Sequence, residues 1–472
     1  MHAHDEDTRS TGNEEITELS PILAAEDAGP LDPGARWVGE IQIGDRLADE
    51  VSLRGGEGYA RARLLVRDGM SVRGFVDVGV EAGAVLGREV RREASRLPVA
   101  TTAVPATSAS AALPVSVVVC TRDRTPEVAR VVDSLLAMDH PLFEVVIVDN
   151  AASSLDTWRY VDTHHDPRVR VIHASVPGLA AARNRGLEAA RYDVVAFTDD
   201  DVVVDRHWLS CLTRSFTDPA VGCVTGLVPA AQLRTTSQVV FEQRVGWSSS
   251  LARRAYRLSD RDEHGALFPF RVADYGTGAN FAVRRTAAFE LGGFDEALGA
   301  GSPTRGGEDI DWFVRTLVGG HTLVFDPDAI TWHQHREDDA ALLSQAHGYG
   351  LGLGAWLTKV ALDRRLAPLA LSRSGIALRH LLTSVGARSA GADERPAGAA
   401  PVSGTGAARA RATSNDTVSG AGREEISGLL AGPRALLTAR AQGRKAAPFR
   451  SFAPRMPVVA AVDAQGGPSS SQ

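Results

Sequence analysis

Two spacings of apolar residues alternate through the middle of this chain. Short β-branched runs occur at 115–119 (VSVVV), 145–148 (VVIV), 169–172 (VRVI) and 194–197 (VVAF). Their nearly unbroken apolar character predicts strands buried on both faces. Between them, 126–138 places Val128, Val131, Val132, Leu135 and Leu136 on one helical face, and 179–191 is Ala-rich and helical in character. Alternating strands and helices predict an α/β domain with a parallel sheet covered on both sides. Further on, 205–216 reads as a helix and 323–325 as a strand closed by the Asp326-Pro327 turn. Ile310, Phe313, Val314 and Leu317 form a helical stripe behind Glu308-Asp309. The stretch 342–382 is amphipathic, breaks near Pro368, and carries Arg364, Arg365, Arg373 and Arg379 among leucines.

The flanks follow other rules. Residues 1–30 are acidic and polar, as expected of a disordered tail. From 31 to 97, runs such as ARARLLV (60–66) and VRGFVDVGV (72–80) lie between Gly-rich turns and predict a small β-rich domain. A linker rich in Ala, Thr, Ser and Pro spans 98–113. The α/β domain occupies 114–340 and a helical extension 341–386. A second, Ala/Gly/Ser/Arg-rich linker spans 387–422, and a short helix with a polar tail fills 423–472. A chain of 472 residues has room for this division. Its 51 Lys and Arg against 58 Asp and Glu give a net charge of −7, which argues against a nucleic-acid partner. Cys120, Cys211 and Cys223 cannot pair completely and show no metal-ligand spacing, and Cys120 and Cys223, in apolar strand-like runs, read as buried, reduced thiols. Without a signal-peptide core or an apolar run long enough for a bilayer, the expected location is cytoplasmic. The amphipathic 342–382 stretch suits either packing on the catalytic domain or peripheral contact with the inner face of a membrane.

The chemistry concentrates at Asp199-Asp200-Asp201, directly after the 194–197 strand. Adjacent carboxylates repel one another unless a positive charge neutralises them. Hard oxygen donors suit Mg²⁺ or Mn²⁺, with phosphate oxygens completing the shell. Ligands in parallel sheets bind beyond the carboxyl ends of the strands, where this triplet and Asp149 both fall. Thr121 and Asp123 lie on the exit loop of the first strand, placed to contact base or ribose, or to cap the next helix. Arg183 starts from a helix within reach of a diphosphate. Gly278 and Asn280, in the Gly276-Thr277-Gly278-Ala279-Asn280 loop, would let a substrate approach the backbone closely.

In order, these pieces resemble the family 2 glycosyltransferases of the GT-A fold over roughly 115–335. The carriers are VVVCTRDR (117–124), EVVIVDN (144–150), GLAAARNRG (178–186), FTDDD (197–201) and GGED (306–309). The resemblance implies a GT-A-type, mostly parallel sheet flanked by helices. It also implies a donor that is a nucleotide-diphospho-sugar. By analogy with the family's DxD motif, Asp199 and Asp201 contact the metal, with Asp200 beside the substrate. Asp149 takes the role of the base-pairing carboxylate. Asp309 becomes the general base, with Glu308 a substrate contact, and Glu308 and Asp311 are the competing bases. His333, in Trp332-His333-Gln334-His335, takes the place of a metal-binding His that would favour Mn²⁺. Arg122 stands where an aromatic is common in the family.

The implied activity is metal-dependent, inverting transfer of a sugar to a hydroxyl acceptor: a sugar, a lipid-linked glycan or a small molecule. A non-catalytic nucleotide-sugar-binding protein is the alternative. A sugar-phosphate nucleotidyltransferase fits less well, because Cys120-Thr121-Arg122-Asp123-Arg124 lacks the Gly-rich, Lys-bearing phosphate loop that reaction wants.

Overall fold

The computed structural model describes residues 15–25, 30–98, 112–260, 263–265, 267–373 and 405–443, with side chains in the last segment from 420 onward. Within the stretch expected to be a disordered tail, 15–25 is described and carries a strand at Ile16–Leu19, ordered because it pairs with Leu47–Leu53 and buries Leu19, while most of the linker expected at 98–113 lies outside the described residues.

The amino-terminal part contains β1 (Ile16–Leu19), β2 (Trp37–Gln42), β3 (Leu47–Leu53), β4 (Arg61–Asp68), β5 (Ser71–Gly79), β6 (Ala84–Leu86) and α1 (Gly87–Ser95). They form two three-stranded sheets, ordered β1-β3-β6 and β2-β4-β5. Alternation along β5 buries Val72, Val76 and Val78. Val76 and Val78 join Trp37, Ile41, Val51, Leu64 and Val66 in a separate core. This module is tied to the larger domain by polar contacts. Arg67, only 1% exposed, donates to Asp205 at 2.5 Å and to Glu40 at 3.2 Å. The Val72 amide donates to Asp328 at 2.7 Å.

The larger domain contains β7 (Val115–Thr121), α2 (Thr125–Leu136), β8 (Phe143–Asn150), α3 (Asp156–His164), β9 (Val169–Ala174), α4 (Leu179–Ala189), β10 (Val194–Thr198) and β11 (Val202–Val204). It continues through α5 (Trp208–Thr213), β12 (Val221–Leu227), α6 (Thr236–Val245), β13 (Arg254–Tyr256), β14 (Asn280–Arg284), α7 (Arg285–Glu290), α8 (Glu308–Val318) and β15 (Thr322–His333). The sheet has nine strands, ordered β11-β15-β12-β14-β10-β7-β8-β9, with β13 pairing on β15. Strands β10, β7, β8 and β9 are mutually parallel, as are β12 and β15. Both faces are covered. Val118, Val146, Val148 and Phe197 pack on the side of α4, whereas Val117, Val119, Val145 and Ile147 pack on the side of α2. The expected mixed α/β class, with its continuous apolar strands, is what the molecule shows.

Antiparallel β14 brings a later segment to the functional edge. Its first residue, Asn280, pairs with Thr198 at the end of β10, so the Gly276–Asn280 loop meets the Asp199 triplet. Likewise β11 runs antiparallel to the end of β15, with Val202 opposite His333.

The expected turn at Asp326-Pro327 is not a turn. β15 passes through it, and its register with β12 jumps from Gly226↔Asp326 to Leu227↔Ile330. A bulge tolerates Pro, which has no N–H for the ladder. Arg214 holds this bulge through Asp326 and Asp328 at 2.5 and 2.6 Å. The helix expected from Asp205 starts later, at Trp208, because Asp205 serves as an anchor: it accepts from the His207 amide at 2.9 Å and from Arg67.

Helix α9 (Asp339–Leu362) is capped by Asp338, which accepts from the Ala341 amide at 2.7 Å. The chain breaks at Asp363, upstream of Pro368, and Pro368 sits in the first turn of the next helical stretch, where its missing N–H costs nothing. The part of this region beyond 373 lies outside the described residues. Helix α10 (Thr405–Gly443) covers both the expected carboxyl-terminal helix and the end of the stretch read as a linker. Its Ala and Arg content favours a helix once it has a surface to pack on. That surface is α9. A Cβ on Gly350 would lie 1.9 Å from the Glu425 carbonyl oxygen, and one on Gly354 would lie 2.2 Å from that of Leu429. The opposite face of α9 supports the loop before α8: a Cβ on Gly352 would lie 2.6 Å from Gly306. Among the described residues no helix is long and apolar enough to cross a membrane.

Candidate active site

The rim at the carboxyl ends of β7, β8 and β10 gathers most of the residues singled out from the sequence. Asp149 ends β8 and is 1% exposed. Its Oδ1 has no hydrogen-bond partner, and burial raises its pKa. A buried carboxylate oxygen left unpaired is costly, so this atom is suited to an external donor. Next to it, Thr121 and Asp123 are already engaged. Thr121 donates to Asp200 at 2.7 Å. Asp123, at φ 54°, accepts from the Ser153 amide at 2.8 Å and so ties the β7 exit loop to the β8 exit loop.

The three aspartates diverge. Asp199 is 30% exposed along its side chain and faces Arg183 at 3.4 Å. Asp200 turns inward to Thr121 and to Arg124, whose Nη1 lies 2.5 Å away. Asp201 lies 3.4 Å from His333 Nε2 and 3.5 Å from both Arg124 and Arg336. Burial pushes Asp199 up to about 7 against the pull of Arg183, and Asp200 up to about 6 against that of Arg124. Burial would raise Asp201 too, but charged neighbours hold it below the usual carboxylate range: His333 when protonated, and Arg124 and Arg336 throughout. His333 is pushed down to about 4 by burial, so its imidazole is neutral at pH 7.

Arg183 points inward rather than towards solvent. It is 2% exposed and donates to Glu308 at 2.9 Å and to the Gly278 carbonyl at 2.8 Å, over the ring of Phe281. It thereby joins α4, the β14 entry loop and the start of α8. Glu308 is pushed up to about 7, by burial first and by neighbouring Asp309 second, with Arg183 opposing. Asp309 is half-buried and accepts from the Gly278 amide at 2.9 Å and from the Ile310 amide at 2.8 Å. Preceding it, Gly307 has φ 94° and sits so close to Gly352 that a Cβ would lie 2.7 Å from that carbonyl oxygen. Asp311 points away from the rim and is fully buried between Arg315 and Lys359, at 2.7 Å from each.

Asn280 is a cross-link in the core. Fully buried, it donates to the Leu227 and Ala329 carbonyls and accepts from Trp208 Nε1. The sequence reading did not single out Arg124, Arg336, Glu242 or Asn150. Asn150 accepts from the Gly178 amide at 2.9 Å and so fixes the start of α4. The WHQH spacing was the only signal near Glu242, and nothing in the sequence linked the two.

A divalent cation suits this rim on charge. Asp199, Asp200, Asp201, Glu308 and Asp309 face Arg124, Arg183 and Arg336, so full ionisation leaves two negative charges in excess. The donors are hard carboxylates with one imidazole. Asp201 and His333 come together, whereas Asp199 turns to Arg183. Among the described residues no three His, Cys, Asp or Glu side chains converge on one point. Further ligands would have to come from a bound phosphate, a common arrangement for Mg²⁺.

The chain is 32% identical over 272 residues to the pre-mycofactocin glycosyltransferase of Mycobacterium tuberculosis, covering 58% of this chain and 53% of that protein. It is 29% identical over 257 residues to the succinoglycan biosynthesis protein ExoM of Rhizobium meliloti, covering 52% and 71%. The chain thus spans about half the length of the first of these relatives. Among solved structures it is similar to the mannosyltransferase PcManGT from Pyrobaculum calidifontis in complex with GDP-Man and Mn²⁺. The identity is 20% and the TM-score 0.43, over 73% of this chain and 91% of that one. A second is GalNAc-T7 with UDP, GalNAc and Mn²⁺, at 18% identity and a TM-score of 0.38, over 56% and 54%. Residues 116–288 match the model of glycosyl transferase family 2.

Proposed function

We propose that this protein transfers a sugar, with inversion, from a nucleoside-diphosphate donor to an acceptor hydroxyl. The observation that carries the reading is the cluster of rim carboxylates at the carboxyl end of β10 and the start of α8, which when fully ionised exceeds its arginine partners by two charges. Asp201 and His333 are the residues that would hold Mn²⁺ or Mg²⁺, and Asp199, which faces Arg183, would turn to join them. When bound, the ion supplies Lewis acidity to the departing diphosphate. Asp149 receives a ring N–H of the base. Asp309 accepts the acceptor's proton, and the Gly278 amide keeps its carboxylate oriented. Arg183 acts from behind by fixing Glu308 and the Gly278 carbonyl, so that Asp309 and the triplet keep their spacing.

The Asp149 reading restricts the base. Uracil and guanine present a ring N–H, whereas the matching ring nitrogen of cytosine or adenine is an acceptor that a carboxylate repels. Among UDP, GDP, CDP and ADP measured calorimetrically with Mn²⁺, UDP or GDP should bind most tightly. Asp149→Asn should weaken that nucleotide by about 10–100-fold, the worth of one charge-assisted hydrogen bond. Tightest binding of CDP or ADP would remove Asp149 from base recognition. With the matching sugar donors and a panel of hydroxyl acceptors, nucleoside diphosphate should be released in step with glycosylated product. Tight donor binding with no turnover on any acceptor would favour a non-catalytic role.

A further inference from the structure

Behind His333 runs a buried polar chain that leads away from the rim. His333 Nδ1 lies 2.9 Å from His335 Nδ1. His335 Nε2 lies 3.0 Å from Glu242 Oε2, and Glu242 Oε1 accepts from Ser248 Oγ at 2.5 Å. All four residues are buried. Glu242 is held in place by α6, whose amino terminus is fixed by a capping box between Thr235 and Gln238. Gln238 also donates to the His335 carbonyl at 3.1 Å. Phe241 packs its ring against His335, and Trp247 packs edge-on to His333.

With both imidazoles neutral, the donor and acceptor roles in this chain are fixed. A carboxylate only accepts, so His335 Nε2 carries a proton and donates to Glu242. In neutral His335 the Nδ1 is then an acceptor. His333 Nδ1 must carry the proton between the two rings, which leaves a lone pair on His333 Nε2. That lone pair faces Asp201 Oδ1 at 3.4 Å, longer than an N–H···O hydrogen bond. Two acceptors face each other there, an arrangement that a cation between them makes favourable.

We propose that Glu242 and His335 are positioning residues that fix the tautomer of His333, so that its Nε2 lone pair is presented beside Asp201 to a divalent cation. Neither residue touches the substrate. They act as the outer support that metal-binding imidazoles generally need. The proposal rests on the cation reading given above, and the test separates the two.

The test uses full-length protein labelled with ¹⁵N-histidine. The His333 signals are identified by their absence in His333→Gln, and Mn²⁺ affinity is measured by electron paramagnetic resonance. Metal-free wild type should show His333 protonated at Nδ1 and bare at Nε2. His335→Phe removes the acceptor; the His333 proton should move to Nε2, and Mn²⁺ binding should weaken about 10–100-fold. His335→Gln can donate its amide NH₂ to Glu242 and accept from His333 through its amide oxygen, so it should keep both properties. A proton on Nε2 in wild type would overturn the relay outright, even if His335→Phe failed to fold. An unchanged tautomer or unchanged Mn²⁺ affinity in folded His335→Phe would overturn it as well. If wild type has the expected tautomer but binds no Mn²⁺, with or without the preferred nucleotide, the cation reading fails and the purpose assigned to the relay fails with it.

Discussion

Asp309→Asn should lower sugar transfer by about 10²–10⁴-fold while leaving donor affinity within a few-fold of wild type. The three acids that open α8 have different surroundings, and those surroundings make the choice. Asp311 is fully buried between Arg315 and Lys359 and faces away from the rim. Glu308 is buried against Arg183. Asp309 alone of the three is half-exposed, and two backbone amides fix its carboxylate while lone pairs remain for a proton. Asparagine preserves the shape but cannot take the proton. Steady-state transfer rates set beside calorimetric donor binding distinguish the outcomes. Transfer at the wild-type rate would move the base elsewhere. A parallel collapse of donor binding would instead give Asp309 a structural task.

Arg183→Met should be among the most destabilising single changes in the domain, by about 3–5 kcal/mol at pH 8, because it strands a buried partner carboxylate. Arg183 and Glu308 side chains are 2% and 7% exposed. The loss should depend on pH. Glu308 already sits at about 7 against an ordinary 4.5, and without the guanidinium it rises further. The folded variant then holds a proton that the unfolded chain has released, so its stability falls as pH rises from about 4.5 through 7 and above. The gap between wild type and variant in urea unfolding should therefore be wider at pH 8 than at pH 5.5. A gap below about 1 kcal/mol, or one that ignores pH, would show that the pair carries little net stabilisation.

What the sequence revealed and what it hid follow from two kinds of information. The runs at 115–119, 145–148 and 194–197 lie within β7, β8 and β10, because strands buried on both faces must be apolar throughout, whereas 169–172 lies in the edge strand β9, which is only partly buried. Chain order then brought Asp149 and the Asp199 triplet to one edge. Pairings set by tertiary structure were not legible. Asn280 reads as a loop residue next to glycine, yet it joins three separate segments in the core through both ends of its amide. Arg183 reads as a long side chain free to reach a diphosphate, yet its partners Glu308 and Gly278 come from segments about a hundred residues away. Glu242 lies on a helix with no periodic signal to mark it, and only the fold shows that it stands behind His335. Asp326-Pro327 follows a turn rule that β15 overrides by bulging.

The most direct test of the whole account is thermal unfolding with Mn²⁺ and the preferred nucleotide sugar, on wild type and on Asp201→Asn. Wild type should gain stability that requires both ligands together, about 2.7 kcal/mol at a donor concentration 100 times its Kd. Asp201→Asn should fold normally and lose that joint gain. An equal gain in Asp201→Asn, or a gain in wild type that survives chelation of the metal, would contradict the claim that these rim carboxylates grip a cation bridging to the donor.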